Sequence, residues 1–479
     1  PNPQSPIPNP QSPIIFIYKV IDYNYLSKLN KNYYFIFEKM KKELELKFET
    51  DLQGEEYKLE NNIFQLPLIS TPENLNQLLN KVLSLDPPKK FSFLIDNMKL
   101  SSSLEDFLNE NLLTTEQTIT IYYILDINEP QKSNTIKEDE WIRNIEILHK
   151  MKYMPNKPSN YCVGLFNGEI SFYSGETNSK IYSLKNNSPI NDDTLIMLND
   201  IKFFRLNNTN ENHLLIKVCK NSNNIYDIFN IDINNQTNDL IYSELKQENE
   251  FFSNIALNPF NPSIFSLAGT ELNKGVLKLY KIPDEINLNE TKSQKSAKKK
   301  KKIEANKINP ELIFDNLHKN ICKNSIFLDN EHVVTGGDDF ILNIYNLNKK
   351  NLFLNYNTNY KNVSSMCRVS NKTFLVGYID GTVKFYDLNI NKAVNIFKDV
   401  KTNYGFISDI SMSNDKDNHP MTFITSSYDN CLKIWDIRGG RVPLYKINTA
   451  ETEKNYAAKF NGNNIISGGD GSNVNIYKF

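Results

Sequence analysis

Tryptophan is nearly missing from this chain, with 2 among 479 residues against 28 Phe and 25 Tyr. Glycine is scarce too: 17 residues is about half the usual share. The five cysteines, Cys162, Cys219, Cys322, Cys367 and Cys431, are odd in number and scattered and form no CxxC pair. That excludes a disulfide scaffold and a cysteine zinc site, and it points to a reducing compartment. No run reaches the ~18 apolar residues that a membrane helix needs. The nearest candidate, Ile14 to Leu26, is cut by Lys19 and Asp22, so the chain reads as soluble. An excess of one charge is also lacking. Lys plus Arg (55) nearly cancels Asp plus Glu (56), so attraction to nucleic acid or a membrane surface has to be local. What remains is 39% apolar and 23% charged, enough for packed cores, in a length that allows roughly two to four domains. Asn, Lys, Ile, Tyr and Phe abound as adenine- and thymine-rich codons would give, so the Asn content is discounted as a signal of fold.

Met40 opens a cleaner pattern than the stretch before it, which repeats PNPQSPI and lacks any helical or strand period. Residues 1–39 are expected to be disordered or a spurious extension, and a folded module to occupy residues 43–126. Leu44, Leu46 and Phe48 alternate as in a half-buried strand. A second strand is predicted at Ile63 to Leu68. A helix then starts with Ser70 or Thr71 as N-cap and Pro72 in its first turn, and carries Leu75, Leu78, Leu79 and Val82 at helical steps. Pro87 and Pro88 end it. A strand at Phe91 to Ile95, a short helix at Leu104 to Asn109 and a strand through Ile119, Ile121 and Tyr123 complete the order ββαββ of a ubiquitin-like β-grasp domain, an order that periodicity alone also permits in other small α+β folds. Residues 127–137 are polar and read as a linker.

Beyond the linker, short apolar runs ending in an aromatic residue recur. The clearest end at Tyr345, Tyr386, Trp435 and Tyr477, spaced by 41, 49 and 42 residues, and weaker copies end at Tyr173, Phe229 and Tyr280. A period near 40–45 residues is that of a WD-repeat propeller blade, and seven copies fit residues 138–479. The long interval before Tyr345 holds a lysine-rich loop insertion at about 286–308. Small residues before each turn (Gly336, Gly377, Ser426) let strands converge. An Asp at the turn (Asp339, Asp380, Asp429) can bond local backbone. Asn167 takes that place in the first copy; in the last it falls on Gly471 beside Asp470. His318 stands 21 residues before Asp339, about the spacing at which WD repeats link Asp through His to Ser/Thr and Trp, but Tyr345 occupies the Trp place. The last copy stops at Phe479 after its third strand, so another segment has to close the ring, because an open edge invites aggregation. Glu138 to Leu148 is expected to supply that strand, with Trp141 as its anchor.

No GxxxxGK[ST] loop, HExxH helix, GxSxG elbow or kinase signature is found in the sequence, so no enzyme is predicted. The turn SGGDGS at Ser467 to Ser472 precedes no helix and is read as a strand connection. His149, His213, His332 and His419 are isolated and read as surface or core residues. The run Lys298, Lys299, Lys300, Lys301 and Lys302 is a solvated loop, a nuclear import signal or a local RNA contact without sequence specificity.

FSFLIDNMKLSSSLEDFL (Phe91 to Leu108), LLTTEQTITIYYI (Leu112 to Ile124), DEWI (Asp139 to Ile142) and SSYDNCLKIWDIRGGRVPLYKI (Ser426 to Ile447) carry a family resemblance. In this mainly β chain, a Notchless-like (NLE) ubiquitin-like domain before a seven-bladed propeller resembles the WD-repeat subunit family of the PeBoW complex. The resemblance covers Leu44 to the C-terminus. It implies a nucleolar and nucleoplasmic ribosome-biogenesis scaffold, with no cofactor of its own and no membrane contact. Its implied partners are a block-of-proliferation family WD protein, met propeller to propeller, pescadillo, precursors of the large ribosomal subunit and the AAA ATPase midasin. By the same resemblance, Glu116 before the last NLE strand completes the Mg²⁺ coordination of midasin's adhesion site. A hard divalent cation with an open position takes an acidic oxygen. Arg438 and Arg441, in a blade connection, are candidate partner contacts because Arg is favoured at interface hot spots. A Notchless-type assembly factor is the nearest alternative, but its ring has eight blades. A ubiquitin-ligase substrate receptor would need an F-box-like helical motif, and none is apparent. A propeller with enzymatic activity lacks the motifs.

Overall fold

The computed structural model describes residues 43–50, 52, 55–96, 98–113, 118–126, 129–148, 158–185, 196–205, 213–283, 306–359, 361–390, 393–397, 405–413, 421–438, 443–449 and 453–479. Residues 1–39 of the sequence analysis lie outside them. Internal contacts divide the chain into two compact units, at Asp126 and Ile127.

The first unit is a mixed five-stranded sheet with two helices. Its strands are β1 (Glu43–Glu49), β2 (Ile63–Pro67), β3 (Phe91–Ile95), β4 (Met98–Lys99) and β5 (Ile119–Leu125), in the order β2-β1-β5-β3-β4. β1 and β5 run parallel, with Leu46 opposite Ile119 and Phe48 opposite Ile121, which is the β-grasp arrangement. The alternation in β1 buries Leu44, Leu46 and Phe48 on one face, where the helix at Pro72–Val82 adds Leu75 and Leu79. Thr71 caps that helix, its backbone N–H donating to Asn74 Oδ1 at 3.0 Å. Ser103 caps the second helix, Leu104–Glu110, by accepting from the Asp106 N–H at 3.2 Å. Both caps satisfy backbone groups that a first helical turn leaves open. Asp126 ends the unit: Ser92 Oγ donates to it at 2.5 Å, and Lys90 and Lys99 lie 3.0 and 3.5 Å away. Burial disfavours the Asp126 charge, yet Ser92 and the two lysines outweigh it and lower the carboxyl pKa.

The second unit is built from seven antiparallel four-stranded sheets. Blade 1 comprises Ile142–Ile147, Tyr161–Leu165, Ile170–Tyr173 and Lys180–Leu184, and blade 2 Met197–Phe204, His213–Lys220, Asn224–Asp232 and Thr237–Leu245. Blade 3 comprises Glu250–Leu257, Ile264–Glu271, Lys274–Lys281 and Leu312–His318, and blade 4 Cys322–Phe327, His332–Gly337, Ile341–Asn346 and Asn351–Asn357. Blade 5 comprises Val363–Arg368, Thr373–Tyr378, Val383–Asp387 and Ala393–Phe397, and blade 6 Ile407–Met412, Thr422–Ser427, Cys431–Asp436 and Tyr445–Asn448. Blade 7 takes Asn455–Asn461, Asn464–Gly469 and Asn473–Lys478 from the C-terminus, and its outer strand, Gln131–Lys137, from before blade 1. In each blade the first strand is innermost and packs against the neighbouring blade. A Cβ on Gly336 would meet Val363 of blade 5 at 2.7 Å, and one on Gly377 would meet Ile407 of blade 6 at 2.7 Å. The small residues therefore make room for the next blade.

Two expectations are corrected here. The segment 127–137 is no linker along its whole length, because Gln131–Lys137 closes the ring, pairing with Asn473–Lys478 from Lys137↔Asn473 to Gln131↔Lys478. The expected closing segment, Glu138 to Leu148, instead gives blade 1 its innermost strand. Trp141 does not anchor the closure: it is 49% exposed. Glu138 anchors it. Its side chain is buried, accepts from the Tyr173 hydroxyl of blade 1, and pairs with Lys180 at 2.8 Å, while its backbone N–H donates to Ser472 O at 2.8 Å. Asparagine also proves to be a structural residue. Asn178, Asn221, Asn249, Asn273, Asn316, Asn359 and Asn430 all have positive φ, the backbone state that glycine ordinarily supplies and that asparagine tolerates.

Candidate functional site

The repeat residues form two incomplete halves of one network. Between blades 3 and 4, His318 Nδ1 lies 2.8 Å from Asp339 Oδ1 and its Nε2 2.9 Å from Thr335 Oγ1, the Asp–His–Thr relay without an indole at its end. Burial raises the cost of the Asp339 charge, but His318 outweighs it and the carboxyl pKa is lowered. In blade 6 the other half survives: Trp435 Nε1 donates to Thr425 Oγ1 at 3.0 Å, and the ring stacks on Phe423. Among the described residues no histidine serves Asp429 there; Lys433 pairs with it at 2.6 Å. Asp380 is held by Lys361, also at 2.6 Å. Each turn residue also accepts from the backbone two positions on: Asp339 from Ile341, Asp380 from Thr382, Asp429 from Cys431 and Asn167 from Glu169. These groups fix turns and blade contacts.

The residues expected to reach partners fall largely elsewhere. Glu116, Lys298, Lys299, Lys300, Lys301, Lys302 and Arg441 lie outside the described residues. Arg438 folds back on its own turn, its Nε and Nη2 donating to Asp436 at 2.8 and 2.7 Å. It therefore caps the end of a blade-6 strand.

Sequence reading missed the centre of the ring, where the innermost strands line a polar channel holding a cavity of about 440 Å³. Lys202 reaches Glu146 and lies 3.8 Å from Asp200, while Lys459 pairs with Asp409 at 2.8 Å. Asp200 also accepts from Asn144 Nδ2, Asn254 Nδ2 and the Ile255 N–H, joining blade 2 to blades 1 and 3. Burial opposes the Lys202 charge, but Asp200 and Glu146 outweigh it and raise its pKa above the usual lysine value. The pairing residues lie tens to hundreds of positions apart, so no local motif announces them. The thiols are free, and burial pushes Cys219 and Cys367 up to about 11, which leaves them protonated and unreactive at neutral pH. Among the described residues no group of three or more His, Cys, Asp or Glu could hold a metal ion, and no helix is long and apolar enough to cross a membrane.

The fold defines a two-module class of protein, a ubiquitin-like domain followed by a seven-bladed WD-repeat propeller. Residues 44–108 match the NLE (NUC135) domain and residues 397–436 the WD domain, G-beta repeat. The chain carries an NLE domain and WD repeats homologous to the WDR12/YTM1 proteins. It is 36% identical over 72 residues to the ribosome biogenesis protein WDR12 homolog of Chlamydomonas reinhardtii, 15% of this chain and 16% of that one. With the ribosome biogenesis protein YTM1 of Laccaria bicolor it shares 32% over 90 residues, 19% and 20% of the two chains. These two alignments thus span no more than a fifth of the relatives' length. A longer one, at 21% identity over 413 residues, covers 86% of this chain and 89% of the Drosophila virilis WDR12 homolog. Among solved structures, Chaetomium thermophilum Raptor superposes with a TM-score of 0.53 at 13% identity, over 73% of this chain and 28% of that one, a likeness of fold alone.

Proposed function

We propose that this chain is a non-catalytic scaffold in ribosome biogenesis, acting in a PeBoW-type complex. The observation that carries this reading is the 413-residue alignment to a ribosome biogenesis protein, which runs through both units. The propeller would join a block-of-proliferation family WD protein and, through it, pescadillo on precursors of the large subunit in the nucleolus and nucleoplasm. The NLE domain would be the handle: Glu116, in the segment before β5, offers a carboxylate to a Mg²⁺ held by midasin, and traction by that ATPase releases the complex. Lys298 to Lys302 would add a local import signal or RNA contact. Seven blades favour this reading over the eight-bladed Notchless type.

Affinity purification of the tagged chain tests the assembly: pescadillo and the WD partner should co-purify, and recovery of a cullin adaptor in their place would refute the scaffold reading. Glu116→Ala should abolish Mg²⁺-dependent binding of midasin while leaving the WD partner bound. Undiminished midasin binding by that variant would remove Glu116 from the role.

A further inference from the structure

Five aromatic side chains form an unbroken row across one face of the ring. Trp141 packs edge-on against Phe166 at 5.8 Å between centroids, Phe166 meets Tyr456 at 5.4 Å, Tyr456 meets Tyr428 at 5.3 Å, and Tyr428 meets Phe406 at 4.6 Å. All five come from two equivalent places in a blade: the start of the innermost strand, and the turn between the second and third strands. The pairing that joins these places repeats, from Phe166 N–H to Trp141 O at 2.9 Å in blade 1 and from Tyr428 N–H to Phe406 O at 3.1 Å in blade 6. The row thus crosses blades 1, 7 and 6, and the same turn of blade 5 presents Ile379. Trp141 at one end is 49% exposed and Ile379 at the other 42%.

Two cations lie on the row. Arg143 stands 5.8 Å from the Phe166 centroid and Lys454 5.5 Å from that of Tyr428. Among the described residues neither side chain has a carboxylate partner, unlike Lys202, Lys361, Lys433 and Lys459, each of which has one. Ring assembly alone gives no reason to leave a tryptophan half in water at the end of a row that carries two cations. Single-stranded RNA is poorly suited to the row. Stacked bases need open ring faces, whereas Tyr456 is buried and Phe166, Tyr428 and Phe406 are largely covered.

We infer that this row is a docking surface for an extended segment of a protein partner, one carrying a carboxylate flanked by apolar side chains. The carboxylate meets Arg143 and Lys454, and the apolar groups meet Trp141 and Ile379. The inference rests on the scaffold reading above and assigns the face on which the propeller takes its WD partner. Indole anchors and arginine are the side chains that most often dominate such interfaces.

The test is the affinity of the full-length chain for the block-of-proliferation family WD protein, measured for wild type, Trp141→Ala, the pair Arg143→Glu with Lys454→Glu, and Phe353→Ala on the outer strand of blade 4. Trp141→Ala and the charge-reversed pair should each weaken binding by about tenfold or more, and the pair should also flatten its salt dependence. Phe353→Ala should bind as wild type does. The unfolding midpoint of each variant is measured alongside, and the charge-reversed pair, at exposed Lys454 and half-buried Arg143, decides the matter if Trp141→Ala unfolds. Wild-type binding that both row variants retain within twofold overturns the docking row and spares the scaffold reading. Loss of binding to a U-rich oligonucleotide with the partner still bound would reassign the row to RNA. A wild-type chain that fails to bind the partner overturns both.

Discussion

Glu138→Ala is the sharpest probe of how the ring closes. The Glu138 carboxylate is buried and accepts the hydroxyl of Tyr173, itself fully buried. Burial, reinforced by Glu138, keeps that phenol far above its ordinary pKa, so it is always the donor. Removing the carboxylate strands the hydroxyl in the core, at about 1–3 kcal/mol for an unpaired buried donor. The Lys180 side chain is 41% exposed and its ammonium returns to water, so the loss of its pair adds less than about 1 kcal/mol. Glu138→Ala should therefore destabilise the second unit by about 1–4 kcal/mol. Tyr173→Phe made in the Glu138→Ala background removes the stranded hydroxyl and should cost much less than Tyr173→Phe made alone. Both tryptophans of the chain, Trp141 and Trp435, belong to the second unit, so fluorescence during urea unfolding reports that unit without interference from the first. The four proteins make a double-mutant cycle. A coupling energy below about 0.5 kcal/mol, the scatter expected of independent sites, would refute the assignment of Glu138 as closure anchor.

Two further tests address the buried charges. Lys202→Met leaves the Glu146 and Asp200 carboxylates of adjacent blades without the cation they share, and removing one partner of a buried pair costs about 3–5 kcal/mol. The fluorescence midpoint in urea should fall accordingly, and a midpoint unchanged from wild type would show that the channel charges do not brace the inner rim. In the first unit, the lowered pKa of Asp126 makes the unfolded chain the better proton binder at low pH. Its contribution is therefore fully present above the ordinary aspartate value of about 3.9 and is lost as pH falls through the folded pKa. Nuclear magnetic resonance titration of the Asp126 carboxyl should find a midpoint below that value, and one at or above it would refute the role given to Ser92, Lys90 and Lys99.

The first unit was readable from sequence because its elements announce themselves. β1 alternates, the Thr71–Pro72 start of the first helix is explicit, and β3 ends where the apolar run FSFLI ends. The third strands of the blades were readable through their terminal aromatics and turn carboxylates. Gln131–Lys137 was not, and the reason is physical. It is an outer strand held by backbone pairing, its side chains face solvent except for half-buried Ile136, and QKSNTIK shows no apolar period. The channel network was illegible for a different reason: Lys459 and Asp409, or Lys202 and Glu146, become neighbours only after a ring of seven sheets has closed.

The tyrosines at the repeat position are part of a substituted mechanism for holding blades together. A phenol reaches further than an indole N–H and needs an acceptor when buried. In blade 1 that acceptor is Glu138, which directly follows the outer strand of blade 7, and Lys180 balances it. In blade 3 it is Glu244, on the outer strand of blade 2, at 2.9 Å from the Tyr280 hydroxyl, with Lys307 at 3.0 Å. Both clamps tie the third strand of one blade to the outer strand, or its end, of the blade before. That is the junction which the Asp339–His318 pair ties between blades 3 and 4. Where no glutamate is available, in blade 5, the Tyr386 hydroxyl pairs with that of Tyr378 at 2.7 Å, and the junction to blade 4 is made instead by Tyr356 packing on Tyr386. Two of the seven blades thus carry a glutamate–tyrosine–lysine clamp at the junction where blade 4 has its aspartate–histidine pair. The first of these clamps seals the seam where the two ends of the ring meet.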